Sequence, residues 1–480
     1  MRSHLGSGCN TRAQGWITDH RVVPTRWRNN QLEEDEITTA ELSGSRTTSE
    51  PATAASSPNR VTNIVRGRQV PVWVSLLALA LGGFAIGTTE FASMGVLPDI
   101  AGDLGVTIPT AGLAITAYAL GVVVGAPVFA VLGARLPRKR LLLALMAAIT
   151  VANLASSVAG SFPLLVAARF ASGLPHGAYF GIGAVTAASL VPAERRARAV
   201  AMTMMGLTVA NIVGVPLTTL LGQHLGWRST YATVVVIGLL TLVAIHLLVP
   251  PVAAGPGASP RQELTALRRP QVWLTVLFGS IGFSGLFAVY SYVTPTLTGV
   301  TGLHRAAVPL VLAVFGVGMT LGNLIGGRLA DWSVLRTLAL GSAASIVVLL
   351  CFTVTAHAIV PAIVTLFLVP LASGATIPAL TARLLDVSHE GKSLAASLNH
   401  SALNVGNALG AWLGGLVIAA GYGYTSPALV GAGLAAVGLV VLAGSIALDR
   451  RSRSTNTVRS TPAQRGPTAR TETVRDSSVA

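Results

Sequence analysis

Charge is what this chain has least of: only 11% of its 480 residues are charged, against 52% hydrophobic, and the mean hydropathy is +0.66. So little polar surface cannot cover a soluble globule of this length, which leaves a membrane protein. Cysteine is nearly absent: Cys9 and Cys351 are the only two, too few for a disulfide framework. There is no GxxxxGK[ST] phosphate loop, no His/Cys set at metal-ligand spacing and no nucleophile elbow. ATP-driven transport, a metal site and hydrolytic chemistry therefore have no support, and the chain is expected not to be an enzyme and to need no cofactor. Period-two alternation is missing as well. Stretches such as "LLLALMAAITVANLA" are apolar on every side, which excludes a transmembrane barrel.

What is present is a series of long apolar runs. Residues 70 to 448 divide into about twelve segments, each of roughly 20 to 28 residues and long enough to cross a hydrocarbon core as a helix. The expectation is an all-α membrane protein of twelve transmembrane helices. Basic residues locate its sides. Arg138, Lys139, Arg140, Arg195, Arg196, Arg198, Arg268, Arg269, Arg328, Arg336, Arg383 and Lys392 follow even-numbered segments, whereas Arg228 and Arg305 fall on the other side. That asymmetry predicts a multi-pass protein of the cytoplasmic (inner) membrane with both termini in the cytoplasm. It also explains the net charge of +15 without nucleic acid, which is not expected as a partner. Residues 1–68 have no apolar run and read as a disordered cytoplasmic tail or an over-extended gene start. A half from 69 to 250, a cytoplasmic linker from 251 to 270, a second half from 271 to 448 and a disordered tail from 449 to 480 complete the expected organisation.

Internal repetition supports two pseudo-symmetric six-helix halves. Gly206, Ala210, Gly214 and Thr218 recur every fourth residue in the fifth segment; Ala402, Gly406, Gly410 and Gly414 do so in the eleventh, 196 residues later. Asn211 and Asn407 match at that offset, and Gly125 matches Gly322 one residue further on. Such stripes let helix backbones approach closely, either as packing within each half or as surfaces that rock during alternating access.

At these residues the sequence resembles the major facilitator superfamily. "GAPVFAVLGARLPRKR", with Gly125, Arg135, Arg138 and Lys139, is similar to that family's loop between helices two and three, and "GGRLAD", with Gly327 and Asp331, to its second-half copy. "RFASGLPHG" is similar to the fourth-helix motif, and "GLTVANIVGVP", with Gly206, Gly214 and Pro216, to the antiporter motif of helix five. Together with "GTTEF" and "GWRSTY" they resemble the twelve-helix drug:proton antiporters, in particular arabinose-efflux-type permeases and actinobacterial chloramphenicol exporters. Two positions depart from the pattern. Ala134 stands where Asp is usual, leaving Asp331 alone to make that helix-end contact, and Thr218 stands where Gly is common.

One carboxylate remains to be explained. Glu90 is the only acidic residue well inside a predicted segment, on a stripe with Gly83, Gly87 and Met94 that should face other helices or a cavity instead of lipid. It is expected either to gain and lose a proton as the coupling site or to stay hydrogen-bonded to Thr88, Thr89 or a neighbouring helix. Arg169 is its basic counterpart. In the resembling family the matching Arg is implicated in proton transfer, and a snorkelling or structural ion-pair residue is the other reading. His176, His246 and His400 are weaker candidates. If the family architecture holds, Phe287, Tyr290, Tyr292, Asn399, His400 and Asn404 line a cavity between the halves, suited to a modest-sized, mostly apolar molecule with some polar groups. The expected function is a proton-coupled exporter of small hydrophobic drugs or sugar-like metabolites. An uptake symporter and a non-transporting receptor or scaffold on the same fold remain alternatives. The partners expected are a small-molecule substrate, protons and the lipid bilayer, with the chain acting as a monomer.

Overall fold

The computed structural model describes residues 62–65, 68–133, 136–252, 268–388 and 392–459. The tails expected to be disordered lie outside the described residues for 1–61 and 460–480, as do most of the linker, Ala134, Arg135 and Glu390.

Because hydrocarbon offers no hydrogen-bonding partner, each apolar run satisfies its backbone within itself and coils into helix. In chain order the helices are α1 (Val72–Gly95), α2 (Leu97–Asp103), α3 (Ile108–Gly133), α4 (Arg138–Ser157), α5 (Phe162–Gly173), α6 (His176–Ser189), α7 (Arg196–Val209), α8 (Val215–Leu225) and α9 (Arg228–Leu248) in the first half. The second half holds α10 (Pro270–Gly282), α11 (Ser284–Tyr290), α12 (Val293–Gly299), α13 (Val308–Trp332), α14 (Val334–Thr355), α15 (Ile359–Gly374), α16 (Thr376–Ser388), α17 (Lys392–Ala419) and α18 (Ser426–Arg459). Among the described residues, eleven helical segments are long and apolar enough to cross a membrane. The expected fourth span is instead two shorter helices, α5 and α6, interrupted where Pro175 has no N–H to give. Leu310, Val354 and Val440 are each at least 70% exposed. A soluble protein would hide such a belt; lipid covers it.

Two corrections concern the ends. Thr62–Val65 and Arg68–Pro71 pair as an antiparallel hairpin, β1 and β2, inside the stretch expected to be unstructured. At the other end α18 runs past residue 448 to Arg459. Its Asp449 forms an ion pair with Arg383, which is buried within α16 instead of lying in a connection, and that carboxylate offsets part of the cost of burying the guanidinium.

Glycine contacts set the correspondence between the halves. A side chain on Gly206 would overlap the Ala80 carbonyl and meet Phe84; one on Gly406 would meet Ser280 and Ser284 in the same way. Gly214 faces Thr88 and Gly414 faces Ala288. Each pair is related by 200 residues, so α7–α8 corresponds to α17 one helical step away from the 196-residue match of the sequence. A four-residue slip keeps the stripe in phase, because i and i+4 share a helix face. The other repeat is as expected: Gly121 and Gly125 back onto Phe170 and Leu174, as Gly318 and Gly322 back onto Phe367 and Leu371, 197 residues later.

The halves meet along α3 and α17 and where α13 passes the middle of span five. There Gly316 lies against the Asn211 backbone, in a π turn at Ala210–Gly214. Pro216 accounts for the turn, since it cannot donate to the carbonyl four residues back. Further ties lie at the end of the bundle opposite Arg138–Arg140. The Thr294 hydroxyl donates to the Met94 carbonyl at 2.9 Å, Arg305 pairs with Asp99, and Gln223 donates to the Arg305 carbonyl at 3.0 Å.

Candidate functional site: a buried charge cluster and the interface between halves

The stripe that carries Glu90 packs inward, as its glycines suggested. Gly83 meets the Thr203 carbonyl and Phe180, and Gly87 meets Leu207 and Ala210, so α1 lies close against α7. Glu90 follows on the same stripe and is 5% exposed. Among the described residues its carboxylate accepts no hydrogen bond and joins no ion pair; Arg169, Tyr118 and Tyr290 act on it electrostatically. The expected structural alternative, a bond to Thr88 or Thr89, is not formed. Thr88 donates back to the Phe84 carbonyl and Thr89 to Asn153.

Arg169 is fully buried and held on several sides. Its guanidinium donates to both the hydroxyl and the carbonyl oxygen of Thr89 at 2.9 Å, the residue next to Glu90. It lies 4.3 Å from the centre of the Tyr118 ring and 5.3 Å from that of Tyr231. Aromatic faces and a carbonyl thus replace water around the cation. Tyr118 in turn shares a 3.0 Å hydrogen bond with His176 Nδ1, and the His176 ring sits edge-on to His400 of the other half at 6.1 Å. Phe180 stacks on His400 at 5.6 Å. The two histidines read as weaker candidates are therefore joined to Arg169 through one phenol, whereas His246 lies on α9, where its carbonyl accepts from Lys139.

Only part of the expected cavity set comes together. Phe287 and Tyr290 form an aromatic group with Phe91, at 6.3 and 5.7 Å, and Tyr290 stacks on Phe315 at 3.9 Å. Tyr292 turns away, donating to the Ala411 carbonyl and filling the space left by Gly112 and Gly415. His400 and Asn404 lie on the face of α17 toward the first half. Asn399 falls on the stripe of Gly406 and Gly410 that packs on α10 and α11.

The motif residues separate by role. Gly125, Gly206, Gly214 and Gly410 are tight contacts, but nothing lies within 4 Å of where a side chain on Gly327 would be, so its glycine is not needed for packing. Lys139 donates to the carbonyls of His246 and Val249, capping the C-terminal end of α9, while Arg138 binds the Val252 carbonyl through its backbone N–H. Asp331 is exposed and, among the described residues, forms no ion pair; water competes for it at the helix end. Sequence reasoning missed Asn153 and Tyr231, which complete the Arg169 cluster. Asn153 was marked only by its polarity inside an apolar run, and Tyr231 by its place at the end of "GWRSTY".

A helical bundle in which the described residues include an unpaired buried carboxylate, a clamped arginine and two half-bundles meeting along glycine-lined helices can be compared with known folds. The major facilitator superfamily model matches residues 79–390 and 288–478. The chain belongs to the major facilitator superfamily. It is 41% identical to the inner membrane transport protein YdhP of Escherichia coli K12 across 76% of this chain and 94% of that one. It is 35% identical to a chloramphenicol resistance protein of Streptomyces lividans (78% and 95%) and 34% identical to the putative transporter AraJ of Escherichia coli K12 (74% and 90%). Its fold matches a bacterial homologue of the human lysosomal transporter Spinster in an inward-facing, unoccupied conformation, with a TM-score of 0.62 at 17% identity, covering 78% and 95% of the two chains. The chain is accordingly a multi-pass membrane transporter and not an enzyme.

Proposed function

We propose that this chain is a proton-coupled exporter of small, largely apolar molecules, working by alternating access in the cytoplasmic membrane as a monomer with both termini inside. The observation that carries the reading is the pairing at Thr89 and Glu90. Arg169 locks the backbone and side chain of Thr89, and among the described residues the neighbouring carboxylate is left without a hydrogen bond or ion pair, free to exchange a proton. The ties between halves on the side opposite the basic loops suit a state closed outward and receptive from inside. The likeness to a chloramphenicol resistance protein favours outward movement.

The first prediction tests this directly. Glu90→Gln keeps size and shape and loses the titration. In proteoliposomes with an imposed pH gradient it should abolish gradient-driven transport while leaving the thermal melt in detergent unchanged. Wild-type rates with the wild-type pH dependence would remove Glu90 from the coupling role.

A further inference from the structure

We propose that Tyr290 is a positioning residue of the coupling site: its phenol O–H, carried by the second half, donates to the ionised Glu90 carboxylate when the halves close at this level. The inference rests on the proton-coupling reading above and adds the group that makes proton affinity depend on conformation.

Glu90 and Tyr290 occupy equivalent positions, 200 residues apart on the first span of each half. Equivalent residues meet wherever those two spans approach the axis that relates the halves. One such meeting is already a contact: the Thr294 hydroxyl donates to the carbonyl of Met94, again 200 residues apart. Glu90 and Tyr290 lie four residues deeper on the same two stripes, about one helical turn. Phe91, the neighbour of Glu90, tilts against the Tyr290 ring at 5.7 Å, and Phe315 stacks on that ring at 3.9 Å with 8° between the planes. The ring is thus held in place while its hydroxyl hydrogen can turn.

Both groups are buried and unmatched. Tyr290 is 1% exposed and its hydroxyl has no partner among the described residues; Glu90, 5% exposed, accepts no hydrogen bond among them. Such a donor beside such an acceptor is retained where another state of the protein joins them. The other groups facing Glu90 are committed or move with it. The Tyr118 hydroxyl is shared with His176, and that of Tyr231 with Ser93. Arg169 donates twice to Thr89 and keeps Nε unpartnered among the described residues, but it sits on α5 of the same half. His176 stands behind Tyr118, and His400 behind His176. Among the described residues that act on Glu90 electrostatically, Tyr290 is the one from the second half.

That difference of origin matters. A proton shifts the balance between two conformations only by the difference in its affinity for them. Arg169, Tyr118 and Tyr231 belong to Glu90's own half and keep their places around it as the halves rock, so they act alike in both states. Tyr290 approaches and withdraws. A phenol that donates to a carboxylate makes a charge-assisted bond and favours the ionised form. Glu90 therefore takes up a proton as α1 and α11 part and releases it as they close, and by linkage protonation loosens the contact. Uptake with the outer end open and release with it closed is the proton movement an exporter needs.

The test titrates full-length protein in lipid, without substrate, by infrared difference spectroscopy. The carboxylic-acid band that disappears in Glu90→Gln reports Glu90. Tyr290→Phe keeps the ring and its stacking and removes only the donor, so the Glu90 midpoint should move up by about one pH unit, a tenfold tighter hold on the proton. Tyr231→Phe removes a phenol that is committed to Ser93 and should leave the midpoint in place. The melt of Tyr290→Phe should equal that of wild type. No upward shift in Tyr290→Phe, an equal shift in Tyr231→Phe, no titrating band from Glu90, or a Tyr290→Phe melt lowered by several degrees would each overturn the proposal; the last would make the hydroxyl structural. Gradient-driven transport is read separately, with Glu90→Gln. The shift in Tyr290→Phe together with unimpaired transport by Glu90→Gln would sink the coupling reading and leave the bond between the halves standing.

Discussion

The stripe on α1 reads Gly83, Gly87, Glu90, Met94; its counterpart on α10 to α12, 200 residues later, reads Phe283, Phe287, Tyr290, Thr294. The backbone frame is the same and the chemistry is divided. Around Glu90 the first half places Tyr118, Thr89 and Arg169; at the matching positions the second half has Phe315, Val289 and Leu366. Thr89 and Arg169 bond to each other, and both partners are replaced together by apolar residues in the second half. A buried guanidinium without its acceptors is costly, so the two positions have to change as a set. At these matched positions the first half holds the ionisable pair, and the second presents rings and apolar side chains. The same division appears at Tyr179, which fills the room beside Gly82 and donates to the Leu79 carbonyl. Its counterpart is Thr376, and there a cavity of about 10 Å³, room for one water, lies among Ser342, Ser345, Ser373 and Thr376.

Exchanging the central pair should break the comparison most severely. Leu366→Arg puts a cation where Val289 offers no hydroxyl, and an uncompensated buried charge typically costs about 3–5 kcal/mol. The yield of monodisperse protein should collapse, and restoring a hydroxyl with Val289→Thr should recover part of it. Normal yield and melting for Leu366→Arg would show that the second half has polar partners at this depth.

The 200-residue correspondence is sharpened by paired substitutions. Gly206→Ala and Gly406→Ala should both lower the melting temperature, because each adds a methyl against a backbone carbonyl; overpacking of this kind costs roughly 1–3 kcal/mol. The Gly206 variant should be the worse, as its carbonyl is closer. Gly327→Ala, facing open space, serves as the control with no loss. A harmless Gly406→Ala would undo the match.

Where the halves touch, smaller effects are expected. The Asp99–Arg305 pair is partly exposed, and pairs of that kind contribute about 0.2–1 kcal/mol. Asp99→Asn should therefore raise, by a few-fold at most, the alkylation rate of a cysteine introduced at Met94, without changing the melt. An unaltered rate would mean that the pair does not hold this end shut.

The smallest effect should be confined to acid pH. Hydrogen bonds from Arg228 and Trp227 hold the Asp103 carboxyl below the ordinary carboxylate range. A depressed value in the folded state contributes stability above the unfolded value, lost as pH falls through the folded one. Melting should thus decline only below about pH 4 on this account, and Asp103→Asn should flatten that part of the profile. A slope that persists in the variant would assign it to another carboxylate.

The sequence by itself determined the membrane class, the two-half plan and the isolation of Glu90, because hydropathy, repeat spacing and the scarcity of acids are properties of the chain that burial in lipid makes decisive. It also pointed to the tight glycines, since a small residue every fourth position has one packing consequence wherever the helix goes. Register between halves was beyond it: a slip of four residues leaves the stripe in phase, and only the contacts of Gly206 and Gly406 with α1 and α10–α11 choose 200 over 196. The partners of buried polar groups were beyond it as well. Arg169 meets Thr89, 80 residues away, and Tyr118 meets His176 across 58, while Tyr292, expected in the cavity, is spent on the Ala411 carbonyl. Each of those choices depends on which helix lies alongside, and a helix apolar on every side does not encode its neighbour in its own pattern.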